Sequence, residues 1–180
     1  TTHRRENLGE PMRHVYRAIH DVVDGLPDVE VIFPVHRNPK VREIVQEELG
    51  HLPRVHLIDP LDYEPFANLM ARVDIVLTDS GGIQEEAPAL GKPVLVLRDT
   101  TERPEAVAAG TVHLIGTAEE HVYNETMRLL TDTGAYAAMA EAVNPYGDGK
   151  AAQRIIEAIL YHAGHRHTPP EPFHAENEEY

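Results

Sequence analysis

Short runs of β-branched and other apolar residues alternate along this chain with longer stretches whose apolar positions recur at helical spacing. This alternation restricts the fold most, because strand, helix and strand in succession is the pattern of a parallel sheet covered by helices. The predicted strands are residues 29–35, 54–58, 73–78, 94–97 and 112–115. The predicted helices are residues 12–23, 41–49, 66–71, 83–90, 121–130 and 151–162. We therefore predict an α/β fold.

The net charge of the chain restricts the classes of partner that it can bind. It has 180 residues with 30 acidic and 16 basic side chains, a net charge of −14 with His neutral. Such a charge repels nucleic acids and anionic membrane surfaces at long range, so we expect neither as a partner. An anionic ligand must then be held by a local site. Hydrophobic residues make up 42% of the chain, which is typical of a globular domain with a sizeable core.

The absence of cysteine excludes disulfides, thiolate metal sites and a cysteine nucleophile. The sequence also lacks an apolar run of about 18 residues, the length that predicts a membrane span. Its polar beginning does not resemble a signal peptide. Together these features favour a cytoplasmic location. The chain begins with Thr1 rather than Met, so we expect it to be a piece of a longer polypeptide.

Turn-forming residues divide the chain near its end. Residues 145–149 contain one proline and two glycines, which predict a turn before the last helix. We expect one domain over residues 1–163. Residues 164–180 are rich in proline and acidic residues and are predicted to form a tail with little to bury.

The unusual residues of this sequence follow the predicted strands. They occupy residues 34–39, 59–66, 79–82 and 98–105. In open α/β sheets, ligands bind beyond the carboxyl ends of the strands. We therefore expect these four loops to line one crevice.

The segment from Asp79 to Gly82 precedes the predicted helix 83–90. Gly81 and Gly82 let the backbone approach a ligand closely, Ser80 can cap the helix or donate to an oxygen, and a helix N-terminus favours phosphate. The alternative is a strand-to-helix turn with a serine cap and no ligand.

Two acidic residues, Glu85 and Glu86, lie in the first turn of that predicted helix. Acidic groups there stabilise the helix dipole. A carboxylate in this place can also accept hydrogen bonds from the two hydroxyls of a ribose. The spacing does not choose between these roles.

Basic residues cluster near the start of the chain at His3, Arg4 and Arg5. Guanidinium groups suit diphosphate oxygens, and an imidazole can move a proton near neutral pH. The alternative is a solvated, charged segment. Arg98 and Arg103 are likewise interleaved with acidic residues, so they can form a surface salt-bridge loop instead of an anion site.

Twelve histidines raise the question of a metal site. No His-Glu-x-x-His or comparable ligand spacing occurs, so we expect no metal. The sequence also lacks a Gly-x-Ser-x-Gly elbow, a phosphate-loop lysine motif and a Gly-x-Gly-x-x-Gly fingerprint. Hydrolase, P-loop and Gly-rich dinucleotide-binding functions are therefore disfavoured.

Several long stretches, in order, resemble the carboxyl-terminal half of the non-hydrolysing UDP-N-acetylglucosamine 2-epimerases. They are residues 2–9, 34–39, 62–66, 78–88, 91–94, 98–105 and 144–149. The resemblance implies a GT-B architecture, in which two Rossmann-like domains face each other across a cleft. This chain then supplies the C-terminal, nucleotide-binding domain, a Rossmann-like parallel sheet sandwiched by helices. The N-terminal GT-B domain is absent from it.

The resemblance also implies a reaction, the reversible inversion of UDP-N-acetylglucosamine at C2 to give UDP-N-acetylmannosamine. In that family the C2 proton and UDP are eliminated, and both are then added back with the proton on the opposite face. No metal or redox cofactor is needed. UDP-N-acetylglucosamine and UDP are the implied ligands, and the full-length protein is expected to form a homodimer.

Residue roles follow from the same resemblance. His3 matches the active-site histidine of the family, near the diphosphate or a transferred proton. The implied UDP contacts are Phe66 at the uracil, Ser80, Gly81 and Gly82 around the diphosphate, Glu86 at the ribose, and Arg103.

Bacterial members of the family have an allosteric UDP-N-acetylglucosamine site beside the catalytic one, and Arg4 and His36 match two of its residues. Leu61 departs from the family pattern, because it replaces a glutamine that some members carry before Asp-Tyr. This departure puts one nucleobase contact in question.

Three other kinds of protein share parts of this pattern. A retaining GT-B glycosyltransferase and a hydrolysing epimerase share the nucleotide cradle and the ribose glutamate, and a non-catalytic UDP-sugar-binding module is a third alternative. The stretches around His3 and Arg103 favour the non-hydrolysing epimerase. The acid and base residues are expected in the N-terminal domain, so we predict that this chain alone binds UDP weakly and does not epimerise.

Overall fold

A computed structural model describes residues 1–173 of the protein, and within them it contains five strands and eight α-helices. The strands are β1 (Val31–Pro34), β2 (Val55–Ile58), β3 (Val76–Thr78), β4 (Val94–Val96) and β5 (Val112–Leu114). The helices are α1 (Glu10–Gly25), α2 (Pro39–Leu49), α3 (Tyr63–Met70), α4 (Ile83–Glu86), α5 (Pro104–Ala108), α6 (Glu119–Thr131), α7 (Thr133–Ala140) and α8 (Ala151–His162). The predicted order of strands and helices is confirmed.

All strand pairs are parallel, as the alternating pattern predicts. In the described part of the chain they form two groups, a pair β1-β2 and a three-stranded group in the order β3-β4-β5. Val31 pairs with Val55 in the first group, while Val76 pairs with Val94 in the second. The alternating pattern predicts one sheet, whereas the described strands are interrupted between β1 and β3, where an apolar cavity of about 400 Å³ lies.

The core forms around α1. This helix packs against α2 on one side and α6 on the other, because its apolar residues recur at helical spacing. Tyr16 is fully buried in this core, and its ring meets the Phe33 ring of β1 edge-on. The Tyr16 hydroxyl shares a hydrogen bond of 2.7 Å with the Thr2 hydroxyl. The core thus holds the first residues of the chain in place.

The predicted helix 83–90 is two elements. α4 ends at Glu86, and Pro88–Leu90 forms a separate 3₁₀ turn. Pro88 explains the division, because proline has no N–H to donate and its ring crowds the preceding turn. Gly91 then adopts a left-handed conformation with φ of 66°, which glycine accepts without steric cost. Helices α5 and α7 are additional to those predicted.

The chain divides into two compact units. The first is Thr1–Ala142, which contains both groups of strands and helices α1 to α7. The second begins at Val143 and contains α8. In it, Arg154 pairs with both Asp148 carboxylate oxygens at 2.7 and 2.8 Å and donates to the Glu171 carbonyl oxygen. The last seven residues of the predicted tail, 174–180, lie outside the described residues.

None of the helices in the described part of the chain combines the length and the hydrophobicity that a membrane-spanning helix requires.

Candidate functional site

The buried carboxylate of Asp79 organises the site. Asp79 follows β3, is fully buried, and accepts hydrogen bonds from the backbone N–H groups of His3 at 3.0 Å and Arg4 at 2.9 Å. It also accepts from the Asn7 side-chain amide at 3.3 Å. Hydrogen bonds to a charged group in a buried place are stronger than those between neutral groups. Asp79 therefore fixes the first residues of the chain against the carboxyl end of β3.

Two guanidinium groups lie over Gly81 as a result. A Cβ atom on Gly81 would stand 3.8 Å from Arg4 Nη2 and 4.0 Å from Arg103 Nη2. Arg4 is held there by its Nε, which donates to the Asp79 carbonyl oxygen at 3.2 Å. Since arginine stays protonated and presents a fork of donors, this pair forms a cationic site beside the half-buried backbone of Gly81. We call Arg4, Gly81, Gly82 and Arg103 the arginine cradle.

The structure distinguishes the two glutamates that the sequence analysis left open. Glu85 forms an ion pair with Arg103. Glu86 lies elsewhere, with its Oε1 atom 3.8 Å from the point where a Cβ on Gly82 would stand. Glu86 thus borders the arginine cradle as a hydrogen-bond acceptor, while Glu85 balances the charge of Arg103.

Of the two roles considered for Ser80, the helix cap is not formed. The residue before α4 is Gly82, and no side chain caps this helix. The Ser80 N–H donates instead to the Thr78 hydroxyl at 3.0 Å, and its carbonyl oxygen accepts from Gln84. In addition, α4 has only four residues. The longer helix predicted over residues 83–90, with its N-terminus beside the ligand, is therefore not formed.

A buried glutamine that the sequence analysis missed joins two loops of the site. The Gln84 Oε1 atom accepts from the Thr101 hydroxyl at 2.6 Å, and the Arg103 N–H donates to the same hydroxyl at 3.0 Å. Gln84 is fully buried, and its Nε2 donates to Ser80. It therefore fixes the loop that carries Arg103 to the turn that carries the glycines. The sequence contains a signal for it, a polar residue between the core residue Ile83 and the acidic pair.

His3 and His36 come together at the edge of the site. Their ring centroids are 5.8 Å apart, although they are separated by α1 and β1 in the chain. His3 Nε2 lies 3.9 Å from Asp79 Oδ1, and 38% of its side chain remains exposed. The His3 imidazole thus lies near a carboxylate and is accessible to a ligand.

Phe66 shares a cavity with the first residues of the chain. It belongs to α3, where it lines the apolar cavity between β1 and β3 together with Leu69 and Ile75. The structure brings together His3, Arg4, Gly81, Glu86 and Arg103, and the residues just before His3, Thr1 and Thr2, line the same cavity as Phe66.

Arg98 does not contribute a free positive charge. Its nearly buried side chain donates to Glu6 at 3.0 Å and to the two Glu102 oxygens at 2.7 and 3.1 Å. Of the two roles considered for Arg98, the salt bridge is therefore the one that the structure shows. Two carboxylates within hydrogen-bond distance neutralise it.

Within residues 1–173, no three or more His, Asp or Glu side chains are grouped closely enough to hold a metal ion.

Fold and site together define an α/β domain of the GT-B type that carries a cationic cradle at the carboxyl ends of its strands. Residues 1–160 match the family model described as UDP-N-acetylglucosamine 2-epimerase. The chain belongs to this family.

Comparisons with individual relatives support this family assignment. A UDP-N-acetylglucosamine 2-epimerase of Bacillus subtilis is 56% identical over 173 residues, which cover 96% of this chain and 46% of that protein. The crystal structure of a Listeria monocytogenes protein described as a UDP-N-acetylglucosamine 2-epimerase superposes with a TM-score of 0.92, at 50% identity over 97% of this chain and 46% of that one. The Neisseria meningitidis enzyme bound to UDP-GlcNAc superposes with a TM-score of 0.84, at 48% identity over 88% and 43%. The chain thus spans about half the length of these relatives.

Replacing Asp79 tests its organising role. We expect Asp79→Ala to lower the free energy of unfolding by about 3 kcal/mol, because buried donors lose a charged acceptor. Urea denaturation measures this change. Asp62→Ala is the matched control, since Asp62 is exposed and makes no side-chain cap bond at the start of α3. It is expected to change stability by less than about 0.5 kcal/mol. Equal stability of the two variants would contradict the role of Asp79.

The salt bridge at Arg98 predicts a pH dependence. Hydrogen bonding from Arg98 lowers the pKa of Glu102 from 4.5 to about 2. A carboxyl group with a lowered pKa in the folded state stabilises the fold above its unfolded pKa and loses this effect as the pH falls through the folded value. Between about pH 4.5 and 2, we expect the unfolding midpoint to fall more steeply for the unmodified chain than for Glu102→Gln. Parallel curves would show that the pair does not contribute to stability.

Proposed function

We propose that this chain is the UDP-sugar-binding half of an enzyme that interconverts UDP-N-acetylglucosamine and UDP-N-acetylmannosamine. The observation that carries the proposal is the arginine cradle, in which two guanidinium groups lie beside the half-buried backbone of Gly81. A diphosphate needs paired, permanently charged donors and close backbone approach, and this place offers both. Membership of the epimerase family supports the same ligand.

The neighbouring residues fit the rest of a UDP-sugar. Glu86 borders Gly82 and can accept the ribose hydroxyl hydrogens, while Ser80 and Gly82 continue the backbone beside the diphosphate. Arg4 contributes to the same cradle as Arg103, so we assign it to the diphosphate as well as to the allosteric role that the resemblance implies. His36 lies beside His3 and is proposed at the border of the two ligand sites. A uracil contact by Phe66 stays a prediction.

The proposed reaction needs UDP as leaving group and as nucleophile. A base removes the proton on C2 while the bond between C1 and the UDP oxygen breaks, which leaves 2-acetamidoglucal and UDP. The UDP oxygen then attacks C1 again, and a proton is delivered to C2 from the opposite face. The arginine cradle retains UDP between these steps and stabilises the negative charge that develops on it.

His3 is the proposed catalytic residue of this half. Its imidazole is partly exposed and lies near the Asp79 carboxylate, with Nε2 3.9 Å from Oδ1, and imidazole is a group that transfers protons near neutral pH. This arrangement suits proton transfer near the diphosphate. The remaining acid and base groups are assigned to the other domain of the full-length enzyme. The homodimer and the cytoplasmic location stay predictions.

Calorimetric titration with UDP tests the cradle. We expect Arg103→Ala and Glu86→Ala each to weaken binding by about 10- to 100-fold, because each removes a charge-assisted hydrogen bond. Glu85→Gln is the matched variant, with the opposite expected effect on the affinity for UDP. It removes the carboxylate that competes for Arg103 and is expected to strengthen binding. Unchanged affinity in Arg103→Ala and Glu86→Ala would overturn the assignment of the cradle to UDP.

Turnover separates the proposed reaction from its rivals. The full-length enzyme, incubated with UDP-N-acetylglucosamine in deuterated water, is expected to give UDP-sugar with deuterium at C2. Release of free sugar would indicate a hydrolysing epimerase, transfer to an acceptor a glycosyltransferase, and binding without turnover a sensing module. The 180-residue chain alone is expected to show no conversion, and measurable conversion by it would contradict the need for a second domain.

A further inference from the structure

Gln84 is the buried polar side chain of α4, and both ends of its amide are hydrogen-bonded. Its Nε2 atom donates to the Ser80 carbonyl oxygen at 3.2 Å, and its Oε1 atom accepts from the Thr101 hydroxyl at 2.6 Å. A carbonyl oxygen can only accept, so the Ser80 contact fixes which end of the amide faces Thr101. The Thr101 hydroxyl therefore gives its single hydrogen to Gln84.

The same hydroxyl holds the backbone of Arg103. Its oxygen accepts from the Arg103 N–H at 3.0 Å. Because the hydroxyl hydrogen is directed to Gln84, the oxygen lone pairs are what remains for this N–H. A directed series of hydrogen bonds thus runs from the turn that carries the glycines, through Gln84 and Thr101, to Arg103. We call Gln84 and Thr101 the relay.

α4 also holds the side chain of Arg103. Glu85, the residue after Gln84, forms an ion pair with the Arg103 Nε atom, and Arg103 Nη1 donates to the Glu102 carbonyl oxygen at 3.2 Å. The Nη2 atom is the one that lies beside Gly81. An arginine side chain loses much rotamer freedom when it is held in one place, so a backbone and a head group that are fixed in advance lower the cost of binding an anion.

Gln84 sets the direction of the peptide groups in the glycine turn as well. Its backbone N–H donates to the Gly81 carbonyl oxygen at 3.2 Å, in addition to the bond from its side chain to the Ser80 carbonyl oxygen. The C=O and N–H of a trans peptide point in opposite directions. The N–H groups of Gly81 and Gly82 are therefore directed away from Gln84, which is fully buried, while Gly82 is exposed.

We propose that Gln84 and Thr101 are positioning residues of the arginine cradle. Thr101 sets the backbone of Arg103, and Gln84 holds Thr101 and directs the N–H groups of Gly81 and Gly82 towards the ligand. This inference rests on the proposed function, because the ligand in question is the diphosphate of UDP. Gln84 does not need to touch it, since Gln84 is fully buried and acts through the groups bonded to it.

Loss of the Thr101 hydroxyl would affect both sides of the cradle. It leaves the buried Gln84 Oε1 atom without its donor and the Arg103 N–H without its acceptor. A buried polar group that loses its partner costs more than the net value of the bond. The loop that carries Arg103 would therefore leave its present position to satisfy these groups elsewhere.

Two substitutions of Thr101 form a matched pair for the test. Valine keeps the branched shape of threonine without the hydroxyl, whereas serine keeps the hydroxyl. In the full-length enzyme we expect Thr101→Val to weaken UDP binding by about tenfold, because Arg103 loses its fixed position, and Thr101→Ser to stay within about twofold. Calorimetric titration measures both, with urea denaturation to compare their stability. Equal affinity of the two variants would overturn the proposal.

A double-mutant cycle separates positioning of Arg103 from a general structural effect. If Thr101 acts through Arg103, Thr101→Val is expected to change UDP affinity by less than about twofold once Arg103 is replaced by alanine. The same tenfold loss in both backgrounds would contradict a positioning role.

Gln84→Met tests the other end of the relay at similar side-chain volume. It removes the bonds to Thr101 and to the Ser80 carbonyl oxygen, so we expect it to weaken UDP binding more than Thr101→Val does. Part of this loss is expected to persist in the Arg103→Ala background, because the peptide groups of the glycine turn are also released. An affinity equal to that of the unmodified enzyme would contradict the role of Gln84.

Hydrogen exchange of the Arg103 backbone amide tests the relay without any ligand. We expect exchange at least about fivefold faster in Thr101→Val than in Thr101→Ser or the unmodified enzyme, because the amide loses its acceptor. Equal rates in all three would overturn the relay whatever the ligand is. Unchanged UDP affinity in Arg103→Ala would instead overturn the proposed function, and the ligand assigned to the relay with it, so the two failures are distinguishable.

Discussion

The buried carboxylate of Asp79 is the constraint on which the site depends. It lies at the end of β3 and takes its hydrogen bonds from the start of the chain, 72 to 76 positions away. A buried carboxylate without donors would be costly, and backbone N–H groups without an acceptor would be costly as well. The Asp79 carboxylate and the backbone N–H groups at the start of the chain therefore require each other. This mutual requirement brings His3 and Arg4 to the glycines that follow Asp79.

Local ion pairs, and not the net charge, decide where positive charge is available to a ligand in this molecule. The net charge of −14 disfavours anionic ligands at long range, yet Arg4 and Arg103 lie side by side over Gly81. Arg98 lies in the same loop as Arg103 but is neutralised by Glu6 and Glu102. An anion would therefore meet the two arginines of the cradle and not Arg98, which acts as a structural tie between loops.

Much of the fold follows from local pattern, and the exceptions have local causes. The strands appear where β-branched runs predict them, although each is shorter than its run, since a strand ends where its ladder partner ends. The helix expected over residues 83–90 stops at Glu86 because Pro88 interrupts it. The gap in the sheet between β1 and β3 has no counterpart in the pattern, because periodicity identifies strands and not the neighbours they pair with.

By itself the sequence determined the class of fold, the order of its strands and helices, and the motifs of the epimerase family. It also located most of the cradle, because loops after parallel strands meet at one edge of a sheet. Only the tertiary structure decided which side chains are available there. It assigned Glu85 to Arg103, showed that Arg98 is neutralised by Glu6 and Glu102, and revealed Asp79 and Gln84 as the residues that hold the site together. Side-chain pairing and burial depend on contacts between segments distant in the chain, and no local pattern encodes those contacts.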